Sequence, residues 1–339
     1  MIVVMRTGAS DKAIDEVVDR IIGLGLKTNL IRGEERTVIG VIGTSFKEEL
    51  AEMLASVAEV ESVIPVSKKY KLASREFNPV STIVEISEGI KVGGPEVVIM
   101  AGPGVVEGEQ PLLALARAIR QAGGQVLKAD VFKPRFSPYV FRGLGEEGLQ
   151  VLARARAATG LPILTEVHSA EEIQEAAEYA DVLLIGPHNM QNYNLLEEVG
   201  RAMKPVMLQR GVSATVEEWL LAAEYILNAG NKQVILCEGG IRSFDPSTRA
   251  LLDLTVIPLV KRLSHLPIVV NPGQATGKGF LVPSMALATV AAGADGVVIE
   301  VHPHPEQALA EGPESLNITE FEKLVIQIRA ISKLRERPL

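Results

Sequence analysis

From Met1 to Val66 short runs of alternating apolar and polar residues are separated by two stretches with helical spacing. Met1 to Arg6, Leu26 to Arg32, Thr37 to Ile42 and Val60 to Val66 read as strands; Asp11 to Gly23 and Phe46 to Ala58 read as helices. The order strand-helix-strand-strand-helix-strand is a split βαβ pattern and predicts a ferredoxin-like domain over residues 1–67. Asp11 and Ser45 are the expected N-caps, and Gly33-Glu34-Glu35 the turn between the middle strands. No chemistry is visible in these residues, which leaves packing or oligomerisation on one side and ligand sensing on the other.

Residues 68–94 read as a linker followed by a barrel-capping hairpin, Thr82 to Val92, that turns at Ser87-Glu88-Gly89. From there the rhythm changes. Eight short runs rich in β-branched residues alternate with helical patterns: Val97 to Ala101, Val126 to Phe132, Ile163 to Val167, Val182 to Ile185, Val206 to Leu208, Val234 to Cys237, Ile268 to Val270 and Val297 to Val301. A well-marked helix follows Thr215, with Glu217 and Glu218 in its first turn, Trp219 on its inner face and Gly230 as its stop. Eight such units over about 245 residues have the size of a (β/α)8 barrel, here residues 95–339. A doubly wound open sheet needs no eighth unit and carries a Gly-rich fingerprint after its first strand, which this chain lacks.

Composition narrows the function. With 47% hydrophobic and 22% charged residues the chain is an ordinary globular protein, and its 339 residues allow a large core. Acidic residues outnumber basic ones, 42 to 34, and no Lys/Arg run is present, which argues against nucleic acid as a partner. No signal-peptide pattern opens the chain and no apolar run reaches a membrane span, so a cytoplasmic protein is expected. Cys237 sits in the apolar run Val234-Ile235-Leu236 and reads as a packing thiol; with 5 His it leaves few soft ligands for a metal.

A barrel carries its chemistry just after its strands. Those positions hold Gly102-Pro103-Gly104, Lys133-Pro134-Arg135, Glu166 with His168, Gly186 to Gln191, Gln209-Arg210-Gly211, Glu238 to Arg242, Asn271 to Gln274, and Glu300-Val301-His302. Lys133, Arg135, Glu166, Arg210 and Glu300 facing one another must pair or hold a ligand. The stretch 272–279 lacks the spacing and the Gly-Lys-Ser/Thr ending of a phosphate loop.

Taken in order, the motifs A-G-P, F-K-P-R-x-S-P-Y, T-E-V, N-M-Q-N, R-G-x-S-A-T-x-E-E-W-L, V-I-L-C-E, H-L-P and I-E-V-H-P resemble those of the type Iβ 3-deoxy-D-arabino-heptulosonate-7-phosphate (DAHP) synthases. The resemblance extends to Arg32-Gly33-Glu34-Glu35-Arg36-Thr37 and to Tyr70 through Phe77, similar to that family's ferredoxin-like regulatory domain and linker. It implies an aldol-type transferase of the shikimate pathway and aromatic amino acid biosynthesis. Such an enzyme condenses phosphoenolpyruvate with erythrose 4-phosphate, uses a divalent metal and releases phosphate. An aromatic effector at the N-terminal domain and a homo-oligomer, dimer or tetramer, are also implied.

Position by position the chain departs from that pattern. The family's metal is held by a Cys, a His, a Glu and an Asp; the Cys of A-G-P-C reads Gly104 here and the His of D-P-S-H reads Gln274. Glu300 persists and the Asp reads Glu311, so no tightly bound metal is expected, only weak Mg²⁺ or Mn²⁺. Three family cations that grip the phosphate of phosphoenolpyruvate read His188, Gln209 and Gly239. In K-P-R-T-S the Thr reads Phe136, while Lys133, Arg135 and Ser137 remain. Gly104, Gly239 and Gly273 together predict an enlarged, less anion-selective cavity.

On these grounds the main expectation is a barrel repurposed for a different, less phosphorylated carbonyl substrate. Lys133 would hold or covalently bind it, Glu166, His188 and His302 would move protons, and Arg135, Phe136, Ser137, Gln191, Gln209, Arg210 and Gln274 would surround it. For Lys133 a simple ion pair with Glu166 or Glu300 is the alternative. At the level of the whole protein, a DAHP synthase with an atypical site and a non-catalytic partner of a working homologue both stay open.

Overall fold

The computed structural model describes residues 1–33, 36–43, 48–64, 69–133 and 139–334. They form two compact units, Met1–Val80 and Ser81–Leu339.

In the first unit β1 (Ile2–Met5), α1 (Asp11–Gly23), β2 (Lys27–Arg32), β3 (Thr37–Ile42), α2 (Glu48–Ala55) and β4 (Val60–Ile64) build an antiparallel sheet in the order β2-β3-β1-β4. This is the ferredoxin-like arrangement expected from the split βαβ pattern. Alternate residues of the inner strands, Val3, Met5, Ile39 and Val41, pack against Ile14, Val17 and Ile21, which recur at helical spacing on α1. The cap of α1 is Ser10 rather than the expected Asp11. Ser10 has extended backbone and its hydroxyl accepts the Ala13 N–H at 3.3 Å, whereas Asp11 is already helical and adds negative charge to the first turn. Ser45, Glu34 and Glu35 lie outside the described residues. Phe77, in the stretch read as linker, belongs to this unit and lays its ring on Gly40 of β3, where any side chain would overlap it.

The second unit opens with a hairpin, β5 (Val84–Ser87) and β6 (Ile90–Val92). The barrel strands and their helices follow: β7 (Val98–Gly102), α3 (Glu109–Ala122), β8 (Val126–Lys128), α4 (Glu146–Thr159), β9 (Ile163–Glu166), α5 (Ala170–Tyr179), β10 (Val182–Ile185) and α6 (Tyr193–Arg201). Then come β11 (Val206–Gln209), α7 (Val216–Asn228), β12 (Val234–Glu238), α8 (Val256–Leu263), β13 (Ile268–Val270), the short α9 (Pro272–Thr276), α10 (Val282–Ala292), β14 (Gly296–Glu300) and α11 (Ile318–Leu334). All eight strands pair in parallel and close with β14 against β7.

The strand period of two divides the barrel interior into levels. Val98, Met100, Val126, Leu164, Val182, Leu184, Met207, Ile235, Cys237, Val269 and Val298 fill the lower part, and Val84, Ile86 and Val92 of the hairpin join the same apolar cluster. Two residues beyond the last apolar position on each strand, the same inward face presents Gly102, Lys128, Glu166, Gly186, Gln209, Gly239, Asn271 and Glu300. Outside, Thr215 and Glu218 form the capping box of α7, and Trp219, fully buried, donates its indole N–H to the Leu208 carbonyl at 3.1 Å. His265 is tied to Thr82 at 2.7 Å. No described helix is long and apolar enough to cross a membrane.

Candidate active site

The run Val126 to Phe132, expected as one strand, is strand only to Lys128. Beyond it Ala129 N still reaches the Leu164 carbonyl at 3.1 Å, but Asp130 turns its carboxylate to the neighbouring strand and accepts the Glu166 N–H at 3.1 Å. The shortened strand aims two lysines and one carboxylate at the same point. Lys128 Nζ lies 3.0 Å from Asp130 Oδ2, 3.2 and 3.4 Å from the two oxygens of Glu300, and 3.9 Å from Glu311 Oε2. Lys133 Nζ donates to the same Asp130 Oδ2 at 2.7 Å and pairs with Glu311 Oε1 at 2.6 Å. Asn271 reaches Glu300 at 3.4 Å.

These groups are removed from water, with Lys128 4% and Asp130 0% exposed, and their charges adjust accordingly. Burial alone would raise the Asp130 carboxyl, but Lys128 and Lys133 outweigh it and hold Asp130 well below the usual carboxylate range. Glu311 is likewise held low by the two lysines against its burial. Burial works against both ammonium groups, yet the surrounding carboxylates keep Lys128 and Lys133 charged above the usual lysine range. For Glu300 burial wins over the pull of Lys128 and pushes it up to about 7. Glu166 is raised too, by burial and then by Asp130. Two firm cations thus face two firm anions, and the two remaining acids are driven toward neutrality.

Above the cluster opens a cavity of about 470 Å³ whose polar lining includes Lys133, Glu166, His168, His188, Arg242, Arg249, Gln274, Glu311 and Glu314. His168 lies 3.7 Å from Glu166 and holds the Phe132 carbonyl at 3.2 Å. Arg249 grips buried Glu314 through two bonds, 2.5 and 2.8 Å.

Of the residues expected from the sequence, Lys133, Glu166, His188 and Gln274 come together on this cavity, and Gln209 stands behind Gln274, donating to it at 2.8 Å. Lys133 pairs with Asp130 and Glu311 rather than with Glu166 or Glu300. Arg210 is buried next to the cavity but spends its guanidinium on Glu238 and Asp253, at 3.1 and 3.2 Å. His302 lines a different, small pocket with Pro103 and Pro111, 3.4 Å from Glu107. Gln191 is exposed on the loop before α6. Arg135, Phe136 and Ser137 lie outside the described residues. Lys128, Asp130, Arg249 and Glu314 are the site residues that strand-end reasoning passed over. Lys128 and Asp130 had a signal: two charges at period two inside an otherwise apolar run.

At two of the three glycines the expected enlargement of the cavity is not produced. A Cβ on Gly104 would stand 2.5 Å from Glu311 Oε2, so that carboxylate already fills the space; a side chain on Gly239 would run into Gln209 Nε2. At these two positions the vacated volume is taken by a neighbouring polar chain, whereas a Cβ on Gly273 would meet only ordinary contacts, the nearest at 3.4 Å. The four positions that the resemblance assigns to a divalent metal are Gly104, Gln274, Glu300 and Glu311; the Lys128 ammonium lies 3.2 Å from Glu300 and 3.9 Å from Glu311, whose buried Oε2 accepts no hydrogen bond among the described residues. Among the described residues no group of three or more His, Cys, Asp or Glu has the geometry of a metal site. The donor set does not fit that metal.

Comparison with known proteins places this geometry. The chain is 42% identical over 332 residues, 98% of both chains, to phospho-2-dehydro-3-deoxyheptonate aldolase of Thermotoga maritima. The crystal structure of the Thermotoga maritima protein covers 99% of this chain with a TM-score of 0.79 at 41% identity. A 2-dehydro-3-deoxyphosphooctonate aldolase of Geobacter sulfurreducens is 30% identical over 74% of this chain and 98% of its own. Similarity of that extent overturns the expectation of a barrel repurposed for a different, less phosphorylated carbonyl compound. The altered strand-end residues do not by themselves indicate a new substrate, because Glu311 fills the space beside Gly104 and Gln209, bonded to Gln274, fills that beside Gly239. The model of the DAHP synthase ferredoxin-like domain matches residues 1–68 and that of the DAHP synthetase I family residues 81–336, and the chain belongs to the DAHP synthetase I family.

Proposed function

We propose that the barrel condenses phosphoenolpyruvate with erythrose 4-phosphate and one water, giving the seven-carbon 3-deoxy-heptulosonate phosphate and inorganic phosphate. The observation that carries this reading is the 42% identity along 98% of both chains to an aldolase named for that product. Addition of the enol carbon to an aldehyde puts negative charge on the aldehyde oxygen, which needs a cation or a proton close by. Lys133 offers the cation on the cavity wall, and Glu166, whose carboxyl is raised by burial, offers a proton beside it. The phosphate groups meet Arg242 and His188, which line the same cavity, and its volume lies within the usual range for small-molecule sites.

Equimolar 3-deoxy acid and inorganic phosphate are expected from purified protein given both substrates, and no phosphate from either alone. The octonate and heptonate relatives differ by one carbon in the acceptor, so a five-carbon aldose phosphate is the discriminating control. Turnover with that sugar and none with erythrose 4-phosphate would reject the assignment. The match of residues 1–68 to the family's ferredoxin-like domain supports an aromatic effector there and a homo-oligomeric, cytoplasmic enzyme as parts of the same reading.

A further inference from the structure

The mouth of the barrel contains a cation of its own. Lys128 Nζ has carboxylate oxygens of Asp130, Glu300 and Glu311 at 3.0, 3.2 and 3.9 Å. Two of these carboxylates, Glu300 and Glu311, stand at positions where the resemblance assigns metal ligands. The other two such positions have no donor to give: Gly104 has no side chain, and Gln274 turns its oxygen to Gln209 at 2.8 Å. Glu311 is further committed. It holds a left-handed backbone, φ 58°, which is strained for a non-glycine residue, and in that conformation its Oε1 meets Lys133 at 2.6 Å. Asp130 completes the set by bridging the two lysines through one oxygen, 3.0 Å to Lys128 and 2.7 Å to Lys133.

We propose that the Lys128 ammonium is a built-in replacement for the divalent metal: it fills the space between Glu300, Glu311 and Asp130, closes it to metal ions, and through Asp130 and Glu311 positions Lys133, the cation that faces the substrates. Lys128 does not line the cavity, so it is a positioning residue. Lys133 stabilises the charge that forms on the aldehyde oxygen. No bond to Lys128 is made or broken. The binding half of this inference stands on the geometry alone; the catalytic half rests on the condensation proposed above.

The test uses full-length protein stripped with a chelator and titrated with Mn²⁺ followed by electron paramagnetic resonance, alongside phosphate release from phosphoenolpyruvate and erythrose 4-phosphate. Wild type is expected to take up no stoichiometric Mn²⁺ and to turn over equally with and without chelator. Lys128→Ala leaves three carboxylates around an empty position and is expected to bind one Mn²⁺ per chain. Its kcat should fall by about 100-fold, the scale of a misplaced reacting group, with KM values near wild type, and Lys128→Arg should restore most of it. Stoichiometric Mn²⁺ on wild type, activity that chelation abolishes and Mn²⁺ restores, or a folded Lys128→Ala protein that still refuses Mn²⁺ each overturns the inference. If Lys128→Ala does not fold, the two wild-type measurements decide. A wild type that refuses Mn²⁺, gains it in Lys128→Ala, and yet never releases phosphate sinks the proposed reaction and leaves the cation site standing.

Discussion

Two sides of the barrel mouth, both at positions where the resemblance assigns other side chains, are built in opposite ways. Around Lys128 the mouth is held by charge: its ammonium, the Asp130, Glu300 and Glu311 carboxylates and the Lys133 ammonium lie within 2.6 to 3.9 Å of one another. Around Gln209 charge is replaced with neutral amides: Gln209 and Gln274 share one hydrogen bond, and Gly239 leaves room for it. A buried ionic cluster is stable only as a complete set, because removing one member strands the others in low dielectric. An amide pair can lose a member at the cost of a single unmet donor or acceptor. The first side is therefore rigid in composition and the second open to change.

The largest expected effect tests the ionic side. Asp130→Ala removes the shared partner of two buried lysines and the acceptor of the Glu166 N–H. A loss of about 3–5 kcal/mol in urea unfolding is expected; a loss no larger than that of an amide deletion would erase the contrast. The amide side is tested next by restoring charge. Gly239→Arg alone collides with Gln209 and should gain nothing, whereas Gly239→Arg with Gln209→Lys restores the pair of cations that the resemblance assigns to these two positions. The double variant should lower KM for phosphoenolpyruvate about tenfold, the equivalent of one charge-assisted bond of about 1.5 kcal/mol. Equal KM values for wild type and the double variant would mean that phosphate is bound elsewhere. Smallest is Gln274→Leu, which leaves the Gln209 amide unmet and should cost about 1 kcal/mol in the same unfolding assay; a loss as large as that of Asp130→Ala would mean that the two sides are built alike.

Much of this architecture was legible beforehand. Seven of the eight barrel strands fall within a residue or so of their predicted ends, since β-branched runs buried on both faces leave little freedom in register. The exception, β8, is the strand that matters: Val126 to Phe132 looks like one apolar run, but Lys128 and Asp130 end the regular ladder by pairing with each other and with β9. Strand-end reasoning also gathers residues in one dimension only. His302 and Gln191 follow strands as Lys133 does, yet the chain carries His302 to Glu107 and Gln191 to solvent. Their directions depend on loops, whose course is set by contacts far away in sequence, such as the Val301 bridge to Leu316. The repacking around glycines was hidden for a related reason. A missing side chain is visible in a sequence, but the neighbour that moves into its place, Glu311 beside Gly104 or Gln209 beside Gly239, is not.

Cys237, the one thiol of the chain, sits inside the barrel on β12, 2% exposed and with its pKa pushed far up by burial. Thiol reagents therefore find nothing to attack until the strands part, and the rate of labelling at Cys237 becomes a clock for opening of the barrel. The same silence makes the native protein a ready background for probes. A cysteine introduced at an exposed point of the cavity rim is the sole reactive handle on the folded molecule, so a fluorophore or spin label can be set there without first removing a native residue.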